Sequence, residues 1–129
     1  MMDVLVDKRI DFSILQHLLS QLFNIDKEYI AISRENDEVD FPDDIQCWCL
    51  VFDTSGDAQM MLQLYRIESI NQSLLLKRLS YLSTEFNISF FIPCDNFDKF
   101  YKISPTKVQT VRLDEDKIDK QRYCFSLIE

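Results

Sequence analysis

Glycine is nearly absent: Gly56 is the only one in 129 residues, beside three prolines and one histidine, His17. Phosphate cradles need backbone N–H groups brought close together by glycine, so a single Gly56 in a short turn excludes a nucleotide-binding loop. One histidine, with no motif announcing a nucleophile or an orienting acid, removes much of acid–base and nucleophilic enzymology. No wholly apolar run extends beyond a few residues, against roughly 20 for a membrane-crossing helix. Base is also scarce: 14 Lys+Arg face 22 Asp+Glu, a formal charge of −8. Such a chain repels phosphate, and its best basic stretch, Lys99, Lys102 and Lys107 with Tyr101, is thin, so direct nucleic-acid binding is not expected.

The start, Met1-Met2-Asp3-Val4-Leu5-Val6-Asp7, places acid where a secretory signal carries base, and no long apolar stretch follows. The expected compartment is the cytoplasm, where thiols stay reduced. Cys47, Cys49, Cys94 and Cys124 lie among Trp48, Leu50, Pro93, Tyr123 and Phe125. Those neighbours suit core packing, whereas a disulfide scaffold is denser in cysteine and in turn residues.

What is present is a chain with 47 % apolar residues, enough to build a core at a length that suits one domain, 1–129. Phe12, Leu15, Leu19 and Leu22 recur at helical spacing, widened by Leu18 and Phe23, with Asp11 before them and Asn24 after. A second helix is expected over about 72–86, where Leu75, Leu79, Leu82 and Phe86 form one stripe between Asn71 and Asn87. Strands are expected at 29–33, 46–53, 59–66, 88–92, 99–103, 107–113 and 122–127. The run 46–53 is apolar on both faces and is expected at the centre of the sheet, covered on both sides. The fold class that follows is α+β: two helices packed on one face of a largely antiparallel sheet, in the order α-β-β-β-α-β and then two or three more strands. The expected core brings Trp48, Leu50, Phe52, Leu75, Leu79, Leu82, Phe86, Phe90 and Ile92 together between sheet and second helix.

Cys47-X-Cys49 would put two thiols on one face of a strand, where a metal could be shared with Cys94 and Cys124. The knuckle spacing with turn residues that structural zinc sites use is missing, and two small hydrophobes under a helix is the reading preferred. No metal or cofactor is expected. His17, with Ser13 and Gln21 on its own helical face, reads as a partly exposed helix residue. Paired carboxylates lie in loops, without the apolar setting that raises a pKa for catalysis, so no enzyme is expected.

The distinctive feature is acidic. Glu35, Asp37, Glu38, Asp40, Asp43 and Asp44 place six acids in ten residues with no base among them, and Val39, Phe41 and Pro42 lie within the run. It can be read as a solvated connection between two strands. It can equally be read as a partner surface, being longer than most hairpin loops and offering Phe41 as an apolar anchor inside a negative field. The second cluster, Asp114-Glu115-Asp116 with Asp119, is diluted by Lys117 and Lys120 and reads as a hairpin tip.

At class level the chain resembles bacterial immunity proteins, including those paired with contact-dependent growth-inhibition toxins. The resemblance rests on small size, acidity, a composition rich in residues with AT-rich codons, no catalytic motif, and the acidic run with Phe41. It implies a non-catalytic protein that binds and neutralises a cognate toxin domain, often a basic nuclease, and it carries over no residue correspondence; the expected partner surface, Glu35, Asp37, Glu38, Asp40, Phe41, Asp43 and Asp44, follows from the acidic run itself. A homodimer is compatible with it. The order of elements also resembles acidic type III secretion chaperones. That family's second half ends in a long helix, whereas 121–128 reads here as a strand.

Overall fold

The computed structural model describes residues 1–38, 40, 42–94, 98–114 and 122–128. Its main body is an eight-stranded sheet with two helices on one face. The elements are β1 (Met2–Val6), α1 (Phe12–Phe23), β2 (Ile30–Arg34), β3 (Cys47–Asp53), β4 (Ser55–Gly56), β5 (Met60–Tyr65), α2 (Gln72–Phe86), β6 (Phe90–Pro93), β7 (Lys99–Ile103), β8 (Val108–Leu113), β9 (Arg122–Tyr123) and β10 (Phe125–Leu127). The strand order is β10-β8-β7-β6-β1-β5-β3-β2, and β4 pairs separately with β9. Every pairing in the large sheet is antiparallel except β2 with β3. The α+β class and the helix-on-one-face layout agree with the sequence reading. No helix among the described residues is long and apolar enough to cross a membrane.

Both helices form where local signals converge. In α2 the Asn71 side chain accepts the Leu74 N–H at 2.8 Å, and Asn87 closes the helix at φ 55°. Asn24 closes α1 in the same left-handed conformation, while Asp11 stands at the N-cap position without a side-chain bond. Leu15, Leu18, Leu19 and Leu22 of α1 and Leu75, Leu79 and Leu82 of α2 are buried against the sheet. From the sheet they meet Val4 and Val6, Cys47, Cys49 and Val51, Met60, Leu62 and Leu64, and Phe90 and Ile92.

Three features depart from the sequence reading. The first is β1, which was not expected as a strand and sits at the sheet's centre between β5 and β6. Five residues with one acid give little local signal; the pairing of both neighbours supplies its place. The second is β3, which lies next to the edge, with only β2 beyond it. Its small side chains, Cys47, Cys49 and Val51, face the helices, and Trp48, Leu50 and Phe52 face away, half-buried. The helices already bring bulk in seven leucines, so that side of β3 takes small residues. The aromatics go where polar handles can be met: Trp48 Nε1 donates to Ser33 Oγ at 2.9 Å. The expected core is therefore corrected: Trp48, Leu50 and Phe52 do not join the α2 residues, and Phe86 packs at the margin of the core, partly buried.

The third is the link between β2 and β3. Parallel strands need a crossover of a dozen or more residues, because the chain must return to the starting end of the sheet. Five residues of β2 are roughly 16 Å of travel at about 3.3 Å per residue. The length of the acidic segment thus has a topological cause.

The away-facing side of the sheet is covered over part of its extent. The β4–β9 pair and side chains from β10, the end strand of the sheet, enclose Leu5, Ala58, Phe91 and Val111, with Met61, Phe100, Tyr123 and Phe125 packed around them. Phe91 and Phe125 stack with centroids 4.3 Å apart. Gly56 permits this arrangement: its φ is +89°, and an added Cβ would stand 2.3 Å from the Tyr123 carbonyl oxygen.

Candidate functional site

The acidic segment leaves β2 through a two-way clamp. The Arg34 N–H donates to Asp37 Oδ2 at 2.8 Å, and the Asp37 N–H donates to the Arg34 carbonyl at 3.1 Å. It rejoins the sheet through a turn in which Ile45 N–H reaches the Pro42 carbonyl at 3.2 Å and Gln46 N–H reaches Tyr29 at 2.9 Å. Ile45 is buried and pins this end. Between the two anchors Glu35, Asp37, Glu38, Asp40, Asp43 and Asp44 are all exposed. Among them only Asp37 has a side-chain hydrogen bond within the described residues. Val39 and Phe41 lie outside the described residues. So do Glu115, Asp116 and Asp119 of the second cluster; Asp114 donates its N–H to the Cys124 carbonyl.

Beside the segment, Arg34 bridges to Asp53 at 3.4 Å and rests 5.3 Å from the Phe12 ring centroid. Both ends of that ion pair are about half exposed, so it adds little to stability.

The away-facing surface of β3 and β5 was not singled out from sequence. Trp48 and Tyr65 lie with ring centroids 4.9 Å apart, and the Tyr65 hydroxyl donates to Gln63 Oε1 at 2.9 Å. Leu50 and Phe52 continue this surface, half-buried and outside both apolar clusters. The signal available in the sequence was the split of residues 47–53 into one face of small and one face of large side chains.

Other sequence candidates separate. Tyr101 packs toward the helices, whereas Lys102 lies over the Phe91 ring on the opposite face, 5.9 Å from its centroid. The basic stretch 99–107 therefore forms no single patch. Cys47 and Cys49 are fully buried under the helices. Burial pushes the Cys47 thiol up to about 12, and burial with the neighbouring Cys47 pushes Cys49 higher. Among the described residues no group of three or more His, Cys, Asp and Glu is arranged to hold a metal ion. His17 contacts Gln21, Nε2 to Nε2 at 2.8 Å, and meets Phe86 edge-on.

Concave regions among the described residues include one over Phe91 between Asp7, Asp57 and Lys102, one between the end of α1 and residues 66–71, and one along α2 by Leu74 and Tyr81. Neither His17 nor a cysteine lines any of them. Comparison with protein-family models, with curated proteins and with solved structures found no match.

Proposed function

We propose that this chain is a non-catalytic immunity protein that acts in the bacterial cytoplasm by binding and neutralising a cognate toxin domain of basic, nuclease type. The observation that carries the reading is the exposed carboxylate array at 35–44, in which a single side chain is used to hold the turn. Six like charges kept together at a surface repel one another, an arrangement that becomes favourable when a basic surface meets it. The topology accounts for the segment's length and leaves its charge to be explained. The secretion-chaperone alternative needs a helical C-terminal segment. Residues 125–127 form a strand on β8 instead, so no observation favours that alternative.

The test is co-expression with the toxic C-terminal domain of a large secreted protein encoded beside this gene. Restored growth and a stoichiometric complex are expected. Failure of both with every neighbouring toxin domain overturns the reading. Replacing Asp37, Glu38, Asp40, Asp43 and Asp44 by Asn or Gln is expected to slow association at least tenfold at low salt. That difference should largely vanish near 1 M salt, where the screening length is about 3 Å. Phe41→Ala is expected to speed dissociation instead.

A further inference from the structure

One polar atom in the core of the sheet has no partner. Asp3 Oδ1 is shielded from solvent and accepts no hydrogen bond, the only such side-chain atom among the described residues. Native structures satisfy nearly all buried polar atoms, so an orphan asks for a cause. Asp3 lies on the central strand and faces away from the helices, since Val4 and Val6 on either side of Leu5 take the helix side. Neither neighbouring polar side chain is bonded to it: Gln63, directly opposite on β5, accepts the Tyr65 hydroxyl through Oε1, and the Tyr123 hydroxyl points to Met61 Sδ at 3.8 Å. No ion pair among the described residues includes Asp3. The α-amino group of Met1 acts on it only as a nearby positive charge. Asp3 also stands at the step where the cover of β4 and β9 ends and the half-buried surface of Gln63, Tyr65, Leu50 and Phe52 begins.

We infer that Asp3 is the receptor for a cationic side chain, an arginine, of a basic protein that docks across the uncovered half of the sheet on β1, β5 and β3. The inference rests on the reading of a basic partner and moves its central contact from the acidic loop to the sheet face. Charge complementarity chooses the occupant. A chain of net −8 repels a second copy of itself, while a guanidinium pairs with the Asp3 carboxylate, which as a residue is only partly buried. Its weak hydration suits a half-buried site better than an ammonium does.

The first measurement is an amide chemical-shift titration of the full chain with ethylguanidinium, with neutral ethylurea as control. Shifts at Asp3, Gln63, Tyr65 and Tyr123 with the cation alone, lost in Asp3→Asn, are expected. An equal response to ethylurea, an unchanged response in Asp3→Asn, or a response confined to residues 35–44 overturns the proposal. The second compares Asp3→Asn with the unaltered chain for binding of the neighbouring toxin domain. Dissociation at least tenfold faster is expected, with a melting temperature of the free chain equal or higher, since the substitution removes an uncompensated charge. Unaltered toxin binding by Asp3→Asn defeats this inference and leaves the immunity reading standing. If no toxin domain binds either protein, the immunity reading fails, and the ethylguanidinium titration still decides the role of Asp3. Sedimentation showing self-association through this face would overturn the choice of occupant.

Discussion

Gly56→Ala tests whether the cover on the far side of the sheet depends on one residue. Two effects add at this position. The φ of +89° places an L-residue in the left-handed half of conformational space, which disfavours it by about 1–2 kcal/mol. The new Cβ would also stand 2.3 Å from the Tyr123 carbonyl oxygen, so the β4–β9 pairing must open. Opening it removes the 2.7 Å bond from Asp57 N–H to that same carbonyl, a loss of about 0.5–1.5 kcal/mol. Together these give about 1.5–3.5 kcal/mol, or a fall of roughly 6–14 °C in melting temperature for a domain of this size. Urea unfolding followed by the fluorescence of the single tryptophan, Trp48, measures the total. Hydrogen exchange at the Asp57 amide measures the local part and should quicken more than exchange in α2. A loss below about 0.5 kcal/mol, typical of unconstrained surface sites, would refute the claim that Gly56 holds this contact.

Leu79→Ala should destabilise by about 2–5 kcal/mol, because Leu79 is fully buried on the inner face of α2; Leu50→Ala, on the half-buried far side of the sheet, should cost about 1 kcal/mol, and equal losses in urea unfolding would mean that the helix side and the far side of the sheet are assigned wrongly. In a thiol-labelling experiment on the native chain at pH 8, Cys94 and Cys124 should react while Cys47 and Cys49 stay protected until unfolding, since burial raises the pKa of both core thiols. Rapid labelling of all four would contradict their burial. Burial raises the folded-state pKa of Asp3 above 3.8 against the lowering effect of the Met1 ammonium, and Tyr123 is the other titratable group that it faces. A raised carboxylate pKa means that the native state binds the proton more tightly, so stability falls as pH rises past 3.8 toward the folded value. The stability advantage of Asp3→Asn should therefore be small at the acid end and grow to a plateau by neutral pH; a gap that narrows with rising pH has the wrong sign for this account.

How much of this was legible in the sequence follows from how local each cause is. The bounds of α2 could be read because stripe, N-cap and left-handed C-cap all lie within residues 71–87. The positive φ of Gly56 was legible for the same reason, but its close approach to Tyr123 depends on a partner 67 positions away that only the fold supplies. Strand order, the parallel pairing of β2 with β3 and the face chosen by Trp48 depend on which elements meet, and no window of residues encodes that. The acidic positions were legible as exposed because charge alone keeps them in water. Asp3 was not, although the signal was present: a single acid inside Met2–Val6. It became informative once that segment proved to be the central strand.

The same topology bears on why a strongly acidic chain can keep an open sheet edge. β2 ends the sheet, and an unpaired edge is a template for another strand. Here Asp37 occupies both the N–H and the carbonyl of Arg34 at one end of that edge, and the segment that follows adds five further carboxylates. Two copies approaching edge to edge would bring two such arrays together, which electrostatics opposes. On the proposed reading a cationic partner would meet the opposite condition, with attraction along the crossover and, across the sheet, the unpartnered Oδ1 of Asp3. The charge pattern that discourages pairing between like chains would then also select for a basic protein, since specificity of this kind needs the repulsive half as much as the attractive one.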